Sequence, residues 1–348
     1  MSHAALKQAG LSLVELMIAL TLGLLVTAAV AFVVTSQSQT REHNQGISEA
    51  QETARLALEI LGSEVAQAGY FGDFGNLRLR HEAIRYRATA SLTTPPAVAP
   101  DCTALGTTNS GSFPAAVGTL QANLPFRVLW FGRAASTSPL SCATAITNTD
   151  ILQIKRLVAA EVANAAAAHD ATQFYAMTNF QQLLIYPGGN VAADNAVVNG
   201  RRFPYTHRVY YLANAPVDGQ QVPSLFRREL RADGVNGLMS DPQPANEAAD
   251  PLLNGVERVR YFLGVDSNGD LQADRFVRAA DMTNVMWDDI GDSLVSVRIV
   301  VLARALRPDP LFTDDVTFDL GDASRYQPGA DGLRRVLLSG IVKVRSQI

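Results

Sequence analysis

Apolar residues dominate the start of the chain and then thin out into a helical stripe. Residues 16–34 form an uncharged 19-residue run interrupted only by Thr21, Gly23 and Thr27. At about 1.5 Å rise per residue, a helix of this length spans roughly 28 Å, close to the thickness of the hydrocarbon core of a bilayer. The pattern therefore predicts one membrane-crossing helix.

The helical pattern continues beyond the apolar run. After a short polar stretch, apolar or small residues recur at helical spacing, and Gly69 and Gly72 then supply a stop signal. We predict one helix over residues 11–68, with a transmembrane part (11–35) and an amphipathic continuation (36–72, including the stop). The predicted stripe consists of Ile47, Ala50, Ala54, Ala57, Leu58, Leu61, Val65 and Ala68.

The remaining chain, residues 73–348, has the signals of a β-rich globular region. Many of its apolar segments alternate with polar residues, which predicts antiparallel strands and an α+β fold with the helix packed on one sheet face. Two of these strands, 256–262 and 296–300, are predicted to have one face in water. The predicted strands cover residues 126–131, 151–158, 183–186, 208–212, 225–231, 256–265, 294–303 and 336–344.

Two segments are rich in small residues and poor in aromatic ones. Residues 88–123 and 159–169 are therefore predicted to be inserted loops or peripheral elements. The length of the region also leaves room for a second, small sheet subdomain within residues 77–250.

Glu15 is the least expected residue of the N-terminal segment. A carboxylate at the edge of an apolar span costs on the order of 2–3 kcal/mol unless a partner compensates it. Two simpler interpretations of the apolar run leave this residue unexplained. One is a secretory signal peptide cut after Ala31, and the other is a plain signal anchor preceded by Lys7.

The segment Gly10-Leu11-Ser12-Leu13-Val14-Glu15 resembles the class III signal of type IV prepilins and pseudopilins. The resemblance implies that a prepilin peptidase removes a leader of residues 1–10 by cutting between Gly10 and Leu11, and methylates the new amine of Leu11. Glu15 would then lie one helical turn from that amine and act in assembly. Major pilins usually begin with Phe where this chain has Leu11, and they often carry a helix proline that is absent here.

A stripe of small residues lies within the apolar run. Ala19, Gly23 and Thr27 are spaced by four, which allows helices to approach closely in a membrane or fibre. Incidental small residues on a lipid-facing helix remain an alternative.

Composition describes a globular chain without a strong charge. Of its 348 residues, 47% are hydrophobic and 18% charged, and the net charge of −4 does not predict nucleic acid as a partner. Cys102 and Cys142 have no metal-ligand spacing around them. In an oxidising compartment they would form a disulfide contributing roughly 4 kcal/mol; two buried thiols are the alternative.

A calcium site is a second candidate function of the globular region. Asp266, Asn268, Asp270 and Asp274 place oxygen atoms at alternate positions, as calcium loops do. The glycine and the final acid of an EF-hand loop are missing at the required positions. The alternative is a hairpin turn that joins residues 256–265 to residues 275–277.

No catalytic motif was found, and no enzyme activity or required cofactor is predicted. The acidic pair Asp288-Asp289 beside Trp287 is interpreted as a solvated turn. The five histidines are scattered (His3, His43, His81, His169 and His207). Basic residues near the end indicate an exposed strand face or, alternatively, a DNA contact (Arg334, Arg335, Lys343 and Arg345).

Several internal segments resemble the PilW family of minor pilins. They are residues 69–72, residues 259–261 leading into the acidic loop, Val297-Arg298, and the final strand ending at residues 342–345. The resemblance implies an inner-membrane protein with a periplasmic globular domain that primes a type IV pilus and enters it. The implied partners are other minor pilins, the major pilin, a tip adhesin and the prepilin peptidase.

Two alternatives to a minor pilin remain open at this stage. A pseudopilin of type II secretion would share the N-terminal signal, although such proteins are usually shorter. An exported enzyme or binding protein with a conventional signal peptide would lose the apolar helix on maturation.

Overall fold

The chain forms one long helix followed by a β-rich region with two large sheets. The structure, a computed structural model, describes residues 12–75, 84–87, 93–103, 109–116, 119, 124–134, 140–163, 166–192, 196–240, 250–289, 294–309, 312–313, 316–322 and 325–344. The predicted α+β class, with a helix packed on an antiparallel sheet, is confirmed.

Helix α1 (Leu13–Gln67) has 55 residues and is about 80 Å long at 1.5 Å per residue. Ser12 caps its start, and Gly69 follows its end with φ +73°, a conformation that glycine adopts without a Cβ clash. All described side chains between residues 12 and 35 are exposed. In the second half the predicted stripe is buried at Ala50, Ala54, Ala57, Leu61, Val65 and Ala68.

All eight predicted strands are present, six of them within three residues at each end. The strand predicted over 208–212 extends over 201–217, and the one predicted over 225–231 begins at residue 220. A second helix, α2 (Asn284–Asp289), and two 3-10 turns (Ala166–Ala168 and Ala279–Asp281) complete the elements. The strands are β1 (Ile84–Tyr86), β2 (Leu129–Arg133), β3 (Asp150–Leu157), β4 (Phe174–Thr178), β5 (Leu183–Pro187), β6 (Arg201–Val217), β7 (Gln220–Asp233), β8 (Asn236–Ser240), β9 (Leu253–Asn254), β10 (Val256–Val265), β11 (Arg275–Arg278), β12 (Leu294–Arg304), β13 (Phe318–Asp319), β14 (Arg325–Tyr326) and β15 (Arg335–Lys343).

The C-terminal sheet has four antiparallel strands in the order β11-β10-β12-β15. One face of it packs on the second half of α1. Val297, Ile299 and Val301 of β12 share a core there with Leu61 and Val65 of the helix. This sheet therefore holds the half of α1 that lies outside the apolar run.

The other sheet is the larger one, with nine strands. Its order is β1-β5-β4-β6-β3-β2, and β7 pairs with β6, β8 and β9. Leu129, Phe131 and Leu152 of this sheet share a core with α1 and the C-terminal sheet. A second sheet within residues 77–250 is therefore present, apart from β9 at residues 253–254. The expectation that it is small was wrong, because it has nine strands and shares a core with the helix and the C-terminal sheet.

The prediction that β10 has one face in water was also wrong. Glu257 and Arg260 are 4% and 1% exposed. The segment between β12 and β15 returns across this face, where Asp322 pairs with Arg260 and the Tyr326 hydroxyl donates to Glu257. Charged residues that alternate with apolar ones can thus lie in ion pairs under a loop rather than in solvent.

Residues 88–123 are irregular where described, but they are not peripheral. Cys102 and Phe113 are buried, and the Phe113 ring packs edge-on against Phe174 of the nine-stranded sheet with centroids 5.1 Å apart. The described part of residues 159–169 contains a 3-10 turn and ends at His169, which packs against Tyr175. The first segment therefore forms a lid over one face of the larger sheet.

Candidate assembly interface

The start of α1 is a capping box built from Ser12 and Glu15. The Glu15 backbone N–H donates to Ser12 Oγ at 3.2 Å, and the Ser12 backbone N–H donates to Glu15 Oε2 at 3.1 Å. The box satisfies two of the amide donors that a helix leaves unpaired at its N-terminus. Gly10 and Leu11, the predicted cleavage and methylation residues, lie outside the described residues.

The Glu15 carboxylate is stabilised by its own helix. Negative charge near a helix N-terminus interacts favourably with the helix dipole, typically by about 0.3–1 kcal/mol. Its side chain is exposed, so it can accept a further partner without breaking the fold. The cost of a carboxylate at the membrane edge is therefore reduced, but not removed, within one chain.

The apolar part of α1 is long enough to cross a membrane. Residues 13–35 have a mean hydropathy of 2.6, and none of this segment is buried against the rest of the chain. The hydroxyls of Thr21, Thr27 and Thr35 donate to carbonyls of the preceding turn. Such internal bonds satisfy polar side chains in a medium that offers no water.

The small-residue stripe lies on this exposed part of the helix. Ala19, Gly23 and Thr27 are all exposed, and a Cβ added at Gly23 would meet no atom within 4 Å. Among the described residues, no other part of the chain covers this surface, so a helix of another molecule could pack against it. Its role in close helix packing stays a prediction.

The second half of α1 is fixed to the nine-stranded sheet by Glu64. Its carboxylate accepts from Arg208 at 2.6 Å and from Arg156 at 3.4 Å. Burial alone raises the pKa of Glu64, but the two guanidinium groups outweigh it and hold that pKa below its usual value. Glu64 is not part of the predicted apolar stripe, and nothing in the local sequence reveals the two arginines on distant strands.

A second buried ion network joins the two sheets. Arg260 of β10 donates to Asp322 at 2.9 Å and to the backbone carbonyl of Asn148 at 2.9 Å. Asp150 of β3 accepts from Arg133 at 2.8 Å and from the Tyr261 N–H of β10 at 3.0 Å. The helix thus packs on a domain whose two sheets are joined to each other by buried ion pairs and hydrogen bonds.

Comparisons with known proteins agree with this arrangement. The family model described as Type IV Pilus-assembly protein W matches residues 209–346, from β6 to the end of the C-terminal sheet. The model of the prokaryotic N-terminal methylation motif matches residues 6–31. The chain thus combines an N-terminal methylation motif, as in prepilins, with a C-terminal part similar to the PilW family. The first match covers the sheet that holds α1, and the second covers the exposed half of α1.

Other comparisons add little. A solved type IV-like pilin from Thermus thermophilus is 14% identical, with 63% of this chain and 84% of that chain covered. Its TM-score of 0.28 is too low to support a detailed comparison. No curated protein matches the chain.

The acidic loop joins β10 to β11 as a hairpin, with Val265 paired to Arg275. Asp266 accepts from the backbone N–H groups of Asn268, Gly269 and Leu271 at 2.7–3.0 Å. The other candidates make similar turn bonds: Asn268 accepts from the Asp270 N–H, Asp270 from the Gln272 N–H, and Asp274 from the Ser267 N–H.

These bonds favour the hairpin alternative. Within the described part of the chain, no group of three or more His, Cys, Asp or Glu side chains could hold a metal ion. The oxygens that calcium would need are turned toward backbone amides, which lower the pKa of Asp266 even though desolvation opposes them. The hairpin loop has nine residues, 266–274, and joins the two segments that the sequence-based alternative named.

Cys102 and Cys142 form a disulfide with their Cα atoms 4.7 Å apart. Cys102 is fully buried in the core under the lid segment, and the Ser141 N–H donates to its carbonyl. The bond ties the lid to the segment that follows β2. The structure therefore has the disulfide rather than two buried thiols.

The basic residues near the C-terminus do not form one free surface. Arg335 pairs with Glu257 at 2.7 Å and with Asp331 at 2.6 Å, and its side chain is 1% exposed. Arg334 pairs with Asp309 at 2.9 Å and lies over the Phe312 ring. Lys343 is exposed, and Arg345 lies outside the described residues. Both sequence-based interpretations, an exposed strand face and a DNA contact, were wrong for Arg334 and Arg335.

The remaining candidates have structural surroundings. His207 is fully buried with Nδ1 2.8 Å from Ser112 Oγ, and His169 is buried 3.1 Å from the Tyr186 hydroxyl. Trp287 belongs to α2 rather than to a turn, and its ring stacks on Phe131. His3 and His81 lie outside the described residues. His43 lies within α1, and the structure describes only its backbone.

Proposed function

We propose that this protein is a minor pilin, related to the PilW family, that starts the assembly of a type IV pilus and is incorporated into it. The observation that carries the proposal is the division of α1. Its apolar part, residues 13–35, is exposed and begins with the capping box of Ser12 and Glu15, whereas one face of its second half is buried by the globular domain. A subunit of this kind leaves the membrane by exchanging lipid for neighbouring helices.

In the proposed maturation, a prepilin peptidase cuts between Gly10 and Leu11 and methylates Leu11. The new amine would carry a positive charge next to a helix N-terminus, where the dipole disfavours it. Glu15 lies at the third helical position and offers the compensating carboxylate. Because Glu15 is exposed, the amine of a neighbouring subunit could reach it equally well, which would set the axial register between subunits.

The proposed location is the inner membrane, with residues 13–35 spanning it and the globular domain in the periplasm before the fibre forms. The disulfide supports an oxidising compartment. Other minor pilins, the major pilin and a tip adhesin would be the partners of the domain. The protein would supply binding surfaces and no catalytic step.

The first test is the N-terminus of the protein. Membranes from cells that contain its prepilin peptidase should yield a chain that starts at methylated Leu11, shown by intact mass and N-terminal sequencing. A start at Phe32 would overturn the proposal in favour of a secretory signal peptide, and an unprocessed chain would favour a plain anchor. A peptidase-deficient strain is the matched control.

A second test separates a pilus from a secretion system. We expect deletion of the gene to reduce surface pili and to leave secretion by the type II pathway unchanged. The opposite result would assign the protein to the pseudopilins. Complementation with the wild-type chain controls for effects on neighbouring genes.

A further inference from the structure

The outer strand of the C-terminal sheet has an open edge. Strand β15 lies at the end of the order β11-β10-β12-β15, and β12 is its one partner among the described strands. Its nine residues pair one to one from Arg304 with Arg335 to Ser296 with Lys343, without a register shift. The strand therefore presents a long, straight edge on the side away from β12.

The hydrogen bonds that flank this ladder show which backbone groups point outward. The Ala305 N–H donates to the Arg334 carbonyl, and the Val344 N–H donates to the Val295 carbonyl. Antiparallel pairing alternates, so even-numbered residues of β15 bond to β12 and odd-numbered residues point away. Among the described residues, no backbone bond reaches the outward groups of Leu337, Ser339 or Ile341.

This edge differs from the others that the structure describes. The edge strands β1, β2 and β11 have three, five and four residues. Strand β8 has five, and the segment before Pro100 covers it through bonds with Gly237. Proteins usually shorten, cover or interrupt edge strands, because an open edge accepts another strand. In β15 no proline or bulge interrupts the nine residues.

The side chains of β15 are less buried than its position in the fold suggests. Val336, Leu338 and Val342 are on the face that packs against α1, yet each is only partly buried, because no strand flanks them. On the other face Ile341 is 62% exposed. One more strand beside β15 would cover apolar side chains on both faces.

Two observations argue against a second copy of this chain as the occupant. The other edge of the sheet, β11, has only four residues and would leave most of the nine-residue β15 edge uncovered. The direction of β15 argues against pairing of two β15 edges. Gly46 faces Arg334, Leu58 faces Gly340, and Gly62 faces Val342, so α1 and β15 run in the same direction. Antiparallel pairing of two β15 edges would therefore point the two α1 helices in opposite directions. Two such subunits could not both start from one membrane.

We infer that the β15 edge receives an extended segment of a different pilus subunit, which adds a fifth strand to the C-terminal sheet. Only an extended backbone can match alternating outward N–H and carbonyl groups over this length, which is the known basis of recognition by strand addition. The inference rests on the proposed function for the class of partner. It assigns the contact to the backbone of Leu337, Ser339 and Ile341.

The test uses the full-length chain in its own cells with a photo-cross-linking residue at position 341. A second substitution at Ser339 then separates backbone pairing from side-chain contact. Ser339→Pro removes an outward N–H and leaves the bonds to β12 intact, because proline is tolerated on the open side of an edge strand. Ser339→Ala keeps that N–H and is the matched control. A cross-linker at the exposed Val198, in the turn before β6, controls for random encounters.

We expect an adduct from position 341 whose cross-linked peptide maps to an extended segment of another subunit. Ser339→Pro should lower its yield by about five- to tenfold, the effect of losing a backbone hydrogen bond and introducing a ring at the edge. Ser339→Ala should leave the yield unchanged. Absence of an adduct, an adduct insensitive to Ser339→Pro, or one that maps to a helix or to a second copy would overturn the inference.

The N-terminus of the same samples keeps this inference separate from the proposed function. A chain that starts at Leu11 but gives no adduct would refute strand addition alone. A chain with another N-terminus that still gives the proline-sensitive adduct would refute the pilin proposal alone. The melting temperature of each variant, compared with wild type, shows that the sheet remains folded.

Discussion

Glu15 and Glu64 lie on the same helix in opposite surroundings. Glu15 is exposed, caps the start of α1 and precedes an apolar segment that no part of the fold covers. Glu64 is buried between two arginines of the nine-stranded sheet. The first carboxylate is open to a partner outside the chain, and the second already has its partners within it. The two residues therefore predict effects on different measurements.

Substitutions of Glu15 should affect assembly rather than folding. Glu15→Gln can still accept from the Ser12 N–H, as glutamine does in capping boxes, but it has no charge. Glu15→Ala removes both the capping acceptor and the charge. We expect both variants to be processed normally. Their amount in sheared fibres relative to membranes, measured by immunoblot, should fall about tenfold or more, because losing about 1.4 kcal/mol of pairing energy changes an equilibrium tenfold. Wild-type incorporation of Glu15→Gln would show that capping alone matters.

Substitution of Glu64 should change stability and its pH dependence. Its folded-state pKa lies below the ordinary value of 4.5, so the unfolded chain takes up the proton first as the pH falls. The contribution of Glu64 is fully present above pH 4.5 and is lost as the pH falls through the lower, folded-state pKa. We expect Glu64→Gln to cost about 1–3 kcal/mol at pH 7 and to reduce the loss of stability toward pH 3.

Denaturant unfolding in detergent at several pH values would measure this effect. Glu59→Gln, an exposed position on the same helix, is the control and should leave the pH profile unchanged. Equal profiles for wild type and Glu64→Gln would contradict the ion-pair assignment.

The contact between α1 and β15 is closest at Gly62. A Cβ at Gly62 would lie 3.1 Å from Val342 Cγ2, which is tighter than ordinary packing. On the strand, a Cβ at Gly340 would lie 3.9 Å from Leu58 Cδ2, an ordinary contact distance. Close packing of this kind places the strand directly along the helix. It also sets the direction of the open β15 edge relative to the membrane segment.

Substitutions at Gly62 and Gly46 should have opposite effects. Gly62→Val adds a side chain in space that Val342 already fills. We expect this overpacking to lower the free energy of unfolding by about 1–3 kcal/mol. Gly46→Ala places its Cβ 3.5 Å or more from its neighbours and improves helix propensity, so it should be neutral or stabilise by up to about 1 kcal/mol. Thermal unfolding of both variants would measure this, and equal melting temperatures would refute the packing argument.

The whole molecule is held together by contacts between parts that are distant in the chain. The Arg260 network joins β10 to β3 and to the returning segment at Asp322. The disulfide closes the lid over the other face of the nine-stranded sheet. These cross-links keep the two sheets together as one support for the second half of α1.

Removal of the disulfide should test this cross-linking. Cys102→Ser with Cys142→Ser opens a loop spanning 40 residues, and the chain-entropy model gives a loss of up to about 4 kcal/mol. Reduction of the wild-type protein should lower the free energy of unfolding by a similar amount, and the double variant should not respond to reductant. An unchanged free energy would indicate that packing alone holds the lid.

The local pattern of apolar and polar residues was sufficient to predict some features of this protein. The long helix, its buried stripe and the strands of the C-terminal sheet follow from the period of apolar residues, which depends only on neighbours in the chain. The prepilin signal is also local, because it consists of residues within two turns of one another.

Only the tertiary structure decided which segments cover each face of the helix and of the sheets. Glu64 meets Arg208 from 144 residues away, and Arg260 meets Asp322 under a returning loop, so charges expected in solvent are buried. The lid over the larger sheet and the open edge of β15 likewise depend on which segments are adjacent in space. The sequence by itself determined the apolar helix that is long enough to cross a membrane, and only the packing of distant segments decided which surfaces remain for a partner.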